Sequence, residues 1–148
     1  MTQGEVTEID LTAFADWVNN AQDEGVPMLV ATCHEGQPDI AFKGSLMVWD
    51  QDHLAFWERG LLETHAGLQS NPRVAIVYRH AERGQPLRFY GTVTIIESGE
   101  LREQVWERVI PIEKGRDPTK SGVAVIVRID RVRQGRFLLQ QRQPASGR

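Results

Sequence analysis

The stretch that decides the fold runs from Gln37 to Tyr78 and reads QPDIAFKGSLMVWDQDHLAFWERGLLETHAGLQSNPRVAIVY. Two apolar-rich runs flank the turn signal Asp50-Gln51-Asp52, and a Lys43-Gly44-Ser45 break interrupts the first run. The segment from Thr64 to Pro72 reads as a short helix that leads into another apolar strand. Polar residues therefore stand where strands end and turns begin, which is where a small β-barrel holds a ligand.

The flanking sequence supplies the elements that close such a barrel. An amphipathic helix is predicted over 9–22, because Leu11, Phe14 and Val18 recur on one helix face and Asp10 can act as its N-cap. Gly91, in the middle of a strand rich in β-branched residues, predicts a bend. The remaining predictions are strands over 28–33, 38–42, 46–49, 54–58, 73–78, 87–96 and 122–129, an edge strand over 131–139, helices over 63–70 and 99–110, and a charged loop over 111–120.

These elements predict one mainly β domain over residues 1–139, a β-barrel of about seven antiparallel strands with two or three peripheral helices. A β-sandwich stays possible on periodicity alone. Ser98 is the expected cap of the helix over 99–110, and Leu101, Val105 and Val109 are expected on its buried face. The segment 140–148 reads as a disordered tail.

Composition narrows the class of protein. The chain has 148 residues, a net charge of −3, 41% hydrophobic and 25% charged residues, which is ordinary for a globular domain and predicts no nucleic-acid or membrane surface. Its one cysteine, Cys33, excludes an intrachain disulfide and a cysteine-based zinc site. The four histidines show no metal-ligand spacing, so no metal is expected. The polar N-terminus is unlike a signal peptide, and a cytoplasmic setting is expected.

Four segments, in this order and spacing, resemble the pyridoxamine 5′-phosphate oxidase-like, FMN-binding split-barrel family. They are HEGQPDIAFKGSLMVWDQDHLAFW, THAGLQSNPRVAIVY, RFYGTVTII and GVAVIVRIDRVRQ, within a resemblance that covers residues 9–132. Lys-Gly-Ser and Trp-Glu-Arg resemble a branch distinct from the vitamin B6 enzyme itself. The C-terminal basic and aromatic motif expected of that enzyme is not evident in LLQQRQPASGR.

The resemblance implies a split β-barrel homodimer with FMN at the subunit interface. It implies an oxidoreductase that acts on a small molecule, with a nicotinamide cofactor as a possible partner. The alternatives are a non-catalytic flavin, deazaflavin or haem binding or sensing protein, and a scaffold that has lost its cofactor. No residue is recognisable as a general acid or base, so no catalytic residue is assigned.

The same resemblance indicates which residues contact the cofactor. The family's basic pair before the helix leucine is replaced here by Glu63 and Thr64, which leaves Lys43 and Arg59 as the nearby cations for a phosphate. Each candidate has a plainer alternative: an edge bulge at Lys43, a surface ion pair for Arg59, a helix cap at Thr64. Trp57 can equally be a core aromatic, and Arg88 can face solvent or the cofactor of the facing subunit. The full set of predicted cofactor-binding residues is Lys43, Gly44, Ser45, Trp57, Glu58, Arg59, Thr64, Leu68 and Arg88.

Overall fold

The computed structural model describes residues 2–60 and 63–144, with only the backbone for Glu63 and Thr64. A 3₁₀ turn, Leu11–Phe14, continues into α1, Ala15–Asn19. The strands are β1 Met28–His34, β2 Gln37–Lys43, β3 Met47–Val48, β4 His53–Glu58, β5 Arg73–Tyr78, β6 Leu87–Ile96, β7 Val123–Gln134 and β8 Phe137–Gln141. The other helices are α2 Glu63–Ser70, α3 Glu100–Arg108 and α4 Pro111–Gly115.

The eight described strands form one antiparallel sheet in the order β2-β1-β5-β6-β7-β4-β3, with β8 paired to β7. A register shift at Tyr90/Gly91 bends the sheet there, because Asp130 of β7 is an extra residue opposite Gly91. A Cβ on Gly91 would lie 2.1 Å from the Arg128 carbonyl oxygen, so only glycine fits this close approach. The predicted mainly β split barrel, with its bend at Gly91, is confirmed.

Alternation along the strands directs one face of the sheet inward. The main core lies between this inner face and the N-terminal helical segment, where Phe14 packs edge-on against Phe89 at 5.8 Å and Trp17 stacks on Tyr78. The side chain of Asp10 accepts a hydrogen bond from the Thr12 amide, which confirms the predicted cap. A second, smaller core lies where α3 covers β4 and β7.

The sequence misplaced several details around the barrel. The helix predicted over 9–22 is shorter, Leu11–Asn19, and the edge strand predicted over 131–139 is the end of β7, a turn and the start of β8. The predicted charged loop contains α4, whose only buried residue is Glu113. Gly99, with φ of 97°, caps α3 in place of Ser98, and no side chain bonds the helix start. Leu101 is 36% exposed and lies off the buried face, while Val105 and Val109 are buried as expected.

The predicted tail also begins too early. β8 extends to Gln141, and the buried side chain of Gln140 exchanges hydrogen bonds with the Asp10 amide, 2.9 Å, and carbonyl, 3.1 Å. Arg142 bonds the Ile129 carbonyl and pairs with Asp52. Residues 140–142 therefore belong to the fold. None of the described helices has the length and apolar character needed to span a membrane.

Candidate functional site

The strand order places β2 and β3 at opposite ends of the sheet, although they are joined by only the short turn after Lys43. That turn therefore crosses the seam where the two ends of the sheet meet. Ser45 is 4% exposed and holds this turn against β4. Its Oγ accepts a hydrogen bond from the Trp57 amide at 2.9 Å and donates one to the Trp57 carbonyl at 3.2 Å. A Cβ on Gly44 would lie 2.6 Å from Gln22 Oε1 and 2.7 Å from Glu113 Oε2.

A buried ion pair spans the same seam. Lys43 Nζ lies 3.0 Å from Oε1 and 2.9 Å from Oε2 of Glu58, and the two side chains are 13% and 3% exposed. Oε1 also accepts from the Gly60 amide at 3.4 Å. Lys43 lies off the hydrogen-bonding direction of Oε2, so this buried oxygen has close charge contact but no aligned donor in the described structure. The pair is therefore held by charge on Oε2 and by hydrogen bonds on Oε1.

A cleft of about 430 Å³ opens beside this ion pair. Three cations line it, Lys43, Arg59 and Arg116, against two carboxylates, Glu58 and Glu113. Arg116 pairs with Glu113 at 2.6 Å, and Lys43 with Glu58, so each carboxylate offsets one cation. Arg59 is exposed and has no ion pair within the described residues. The complete lining is Gln22, Pro27, Phe42, Lys43, Gly44, Ser45, Trp57, Glu58, Arg59, Gly60, Glu113 and Arg116.

Trp57 forms a fixed wall of the cleft. Its ring packs on Trp106 at 4.8 Å, Arg102 lies 4.9 Å from it, and only 4% of the residue is exposed. Its Nε1 donates a 2.8 Å hydrogen bond to Asp117 Oδ2. Trp57 is therefore a core aromatic that also lines the cleft, and its contact with a flavin stays a prediction.

Asp117 holds this wall in place. It is 5% exposed and also accepts hydrogen bonds from the Gly122 amide, 2.9 Å, and from the amide and hydroxyl of Ser121, both 3.0 Å. Burial raises the pKa of Asp117, but the Trp57 hydrogen bond and those from residues 121 and 122 outweigh it and lower the pKa to about 2. The carboxylate is therefore a charged anchor for the indole.

Six of the nine predicted cofactor residues line the cleft: Lys43, Gly44, Ser45, Trp57, Glu58 and Arg59. Leu68 is 2% exposed in the main core. The Thr64 side chain is outside the described residues, so its role stays a prediction. Arg88 lies on the outer sheet face, where it donates to the Gly135 carbonyl at 2.6 Å, and it does not reach the cleft of its own subunit.

Sequence reasoning missed Gln22, Glu113, Arg116 and Asp117, which come from a turn, from α4 and from the loop after it. They reach the site only through tertiary packing, which strand periodicity does not show. One local signal was available, because Asp117 followed by Ser121-Gly122 has the composition of a turn closed by an aspartate side chain.

The outer face of the sheet carries a second pattern. Residues directly opposite in antiparallel strands share a face, so each row across the strands can be read from the pairing. The row nearest the cleft is Phe42, Leu29, Val77, Arg88, Arg133. The next row is Ile40, Ala31, Ala75, Tyr90, Arg131, and the third contains Arg73, Thr92, Arg128. The face is therefore apolar on β2 and β1, apolar on β5 except for Arg73, and carries arginines on β6 and β7.

Both ends of this face are exposed in the single chain. Ile40 and Phe42 are each 67% exposed, and Phe42 also lines the cleft. Arg131 lies over the Tyr90 ring at 4.3 Å. None of the five arginines in the rows forms an ion pair with another described residue.

Asp50, Asp52 and His53 form the turn between β3 and β4, and their polar atoms lie within 4.8 Å of one another. The Asp50 carboxylate accepts hydrogen bonds from the amides of Asp52 and His53, and Asp52 pairs with Arg142 at 3.0 Å. Burial raises the pKa of Asp52, but Arg142 and His53 outweigh it and lower the pKa. These carboxylates serve the turn, and we assign no metal to them.

Known proteins share this architecture. Residues 20–134 match the sequence profile described as pyridoxamine 5′-phosphate oxidase. HupZ of Group A Streptococcus shares 26% identity, with a TM-score of 0.68 over 84% of this chain and 92% of HupZ. An FMN-binding protein of Syntrophomonas wolfei shares 13% identity, with a TM-score of 0.63 over 82% of this chain and 85% of that one.

A pyridoxamine 5′-phosphate oxidase-related, FMN-binding protein of Nostoc punctiforme shares 14% identity, with a TM-score of 0.65 over 82% of this chain and 79% of that one. Among curated protein sequences, none matches the chain significantly. The two FMN-binding structures, at these identities, establish the shared fold. The profile match covers most of the chain, and with it the chain belongs to the pyridoxamine 5′-phosphate oxidase family.

Proposed function

We propose that this protein binds FMN, with the phosphate and ribityl end of the flavin in the seam cleft, and acts as a flavin-dependent oxidoreductase on a small molecule. Family membership supports the flavin. The single structural observation that carries the proposal is the cleft itself, where Lys43, Glu58 and Arg59 meet at the strand ends.

The residues present fit this end of FMN. A phosphate is an anionic acceptor and ribityl hydroxyls are donors, so the site must offer both kinds of partner. Lys43 retains donor capacity beyond its pair with Glu58, and the Arg59 guanidinium is free of described ion pairs. The carboxylates of Glu58 and Glu113, which line the cleft, are the acceptors for hydroxyls. The cleft therefore matches FMN in hydrogen-bonding groups. Its three cations exceed its two carboxylates by only one positive charge.

When bound, the flavin supplies the electron or hydride transfer, and the protein contributes binding, orientation and exclusion of water. Glu58 holds the Lys43 ammonium against the cleft wall. Trp57, anchored through Asp117, gives a wall that does not rearrange when the ligand enters. A fixed wall reduces the ordering cost of binding.

The proposal includes a homodimer with the cofactor at the subunit interface. The support is Phe42, which is two-thirds exposed and lines the cleft at the same time. A second copy that covers Phe42 and Ile40 removes two large apolar side chains from water and closes the cleft toward solvent.

A binding or sensing protein without turnover is the second candidate. It is favoured by the arrangement of the two cleft carboxylates, because Glu58 and Glu113 are each paired with a cation of the same cleft. Haem and deazaflavin are the alternative ligands of such a protein.

The test is an absorbance spectrum of purified protein before and after addition of FMN and desalting. We expect about one retained flavin per subunit, weaker retention in Lys43→Ala and Arg59→Ala, and unchanged retention in Arg79→Ala, an exposed arginine outside the cleft. Wild-type protein that retains no flavin would refute FMN binding, and a Soret band would identify haem instead. Reduction of bound FMN by a nicotinamide cofactor or a small-molecule donor separates the oxidoreductase from the binding protein.

A further inference from the structure

We propose that two copies of this protein associate edge to edge through β2, whose free backbone groups form an antiparallel ladder with β2 of the second copy. The inference rests on the homodimer of the proposed function and names the contact that holds its two copies together. It does not depend on which ligand the cleft takes, so its test needs no ligand.

The described sheet ends at three strands, β3, β8 and β2, and the chain itself closes the first two edges. At β3, the Val48 amide donates to Asn19 Oδ1 at 2.8 Å, and Arg108 donates to the Val48 carbonyl at 2.7 Å. At β8, the N-terminal segment lies alongside the strand, and the Thr7 amide donates to the Leu139 carbonyl at 3.0 Å. Proteins close edges in such ways because an open edge is a template for another strand.

The edge of β2 stays open. The turn Glu35-Gly36 has a positive φ at both residues, 51° and 78°, which is the type I′ pattern, and such a hairpin closes on a hydrogen-bonded pair, here His34 and Gln37. Hydrogen-bonded pairs recur at every second residue, so the amides and carbonyls of Ile40 and Phe42 point away from β1. These groups have no hydrogen-bond partner elsewhere in the described chain, and both side chains are 67% exposed.

The sequence of β2 limits the register of a second strand. Pro38 has no amide hydrogen, and its carbonyl already accepts a side-chain hydrogen bond at 2.9 Å, so it ends the open stretch on one side. Gly44, where the chain turns into the seam, ends it on the other. A two-fold axis through Ala41 places Ile40 opposite Phe42 of the second copy, and their open amides and carbonyls then all have partners. An axis through Ile40 would set Pro38 opposite Phe42 and leave the Phe42 carbonyl without a donor.

The side chains of β2 complement those of a second copy in this register. On the outer face, each Ile40 lies beside Phe42 of the other copy, and a β-branched residue next to an aromatic one is a favourable cross-strand pair. On the opposite face, Asp39 lies directly across from Lys43 of the other copy, so opposite charges meet. Asp39 has no ion pair within the described residues, and the Lys43 ammonium has donors beyond those that it gives to Glu58.

The register is tested by a disulfide between copies in a chain that lacks Cys33, its only cysteine. Ala41→Cys in a Cys33→Ser background should give a disulfide-linked dimer on mild oxidation. The two copies of residue 41 form a non-hydrogen-bonded pair with Cα atoms about 4.5 Å apart, which a disulfide can span. Gln37→Cys in the same background is the matched control. It lies on the same face of β2 and is more exposed, but its two copies lie about 27 Å apart along the ladder and should not crosslink.

Ile40→Pro tests the backbone hydrogen bonds. It removes the amide hydrogen that the ladder uses, while β2 keeps its bonds to β1, because the Ile40 amide points away from that strand. We expect the dissociation constant of the dimer, measured by sedimentation equilibrium, to rise roughly tenfold or more, since each copy loses a hydrogen bond to the other. Ile40→Thr is the matched control. It keeps the amide hydrogen and the β-branched shape, and it should weaken the dimer much less.

The outcomes separate the inference from the function on which it rests. A wild-type chain that stays monomeric refutes the proposed homodimer and the inference with it, whereas flavin retained by that monomer would leave FMN binding intact. The inference alone is overturned by a wild-type dimer in which Ala41→Cys crosslinks no faster than Gln37→Cys, or in which Ile40→Pro weakens association no more than Ile40→Thr. A crosslink specific to Ala41 in a protein that retains no flavin supports the edge contact and refutes FMN binding.

Discussion

Replacing Asp117 by asparagine tests the anchor of the Trp57 wall with almost no change in shape. The carboxylate accepts four hydrogen bonds, two on each oxygen: Trp57 and Gly122 on Oδ2, and the amide and hydroxyl of Ser121 on Oδ1. Asparagine has one oxygen, so either pair of donors must face an NH₂ group that donates as well. With the NH₂ group toward Trp57 and Gly122 the substitution removes two hydrogen bonds. With the NH₂ group toward Ser121 it removes one, because the Ser121 hydroxyl can turn to accept from the amide while the Ser121 backbone N–H cannot.

The expected loss follows from these contacts. Leaving a buried donor without an acceptor costs about 1–3 kcal/mol, so we expect Asp117→Asn to lower the free energy of unfolding at pH 7 by about 2 kcal/mol. The pH dependence gives a second magnitude. The pKa of Asp117 falls from 3.8 to about 2 on folding, which corresponds to about 2.5 kcal/mol.

The sign of the pH effect is fixed by the lowered pKa. The charged carboxylate stabilises the fold above about pH 4, and this stabilisation is lost as the pH falls from 4 through 2. Denaturant unfolding followed by far-UV circular dichroism at pH 7, 4 and 2 measures both effects. In Asp117→Asn the fall in stability between pH 4 and 2 should be smaller by about 1.8 kcal/mol, since part of the full effect lies outside this pH range.

Asp23→Asn is the matched control, because Asp23 is exposed and its side chain makes no hydrogen bond to a described residue. It should leave the free energy of unfolding at pH 7 nearly unchanged. If Asp117→Asn were as stable as wild type at pH 7, or lost as much stability as wild type between pH 4 and 2, the reasoning about this carboxylate would be wrong.

Three further predictions concern the seam, the sheet and the C-terminal strand. Lys43→Ala leaves Glu58 buried without its cation and should lower the free energy of unfolding by about 3 kcal/mol in denaturant titrations. Gly91→Ala drives a Cβ into the Arg128 carbonyl and should cost about 3 kcal/mol or abolish soluble expression. A chain that ends at residue 139 should have a lower melting temperature than wild type, whereas a chain that ends at residue 142 should not. Equal melting temperatures for the two chains would show that Gln140 does not contribute to the fold.

Much of the fold was predictable because burial here follows a period of two. The sequence predicts β5, β6 and α2 with the bounds that the structure has, since each is an uninterrupted pattern between clear turn signals. Helix α4 was missed for the opposite reason. It buries Glu113 while Ile112 is 51% exposed, so it has no apolar face for periodicity to reveal.

The site was predictable only in its local part. The sequence pointed to Lys43, Ser45 and Glu58 because they interrupt or end strands. It could not show that Lys43 and Glu58 pair, because β2 and β4 are far apart in the strand order of the sheet. The arginine rows show the same limit. Strict alternation would place the side chains of Arg128 and Arg131 on opposite faces of the sheet. They lie on the same face because Asp130 is an extra residue in β7.

The buried pair of Lys43 and Glu58 is best understood through the seam that it crosses. A buried ion pair seldom stabilises a protein more than apolar residues of the same size would, so stability does not explain it. The two residues end β2 and β4, which have no hydrogen-bonded ladder between them in the described sheet. An apolar pair would close the seam and leave a dry core there. A charged pair keeps the seam polar, which favours the entry of a polar ligand where the barrel is split.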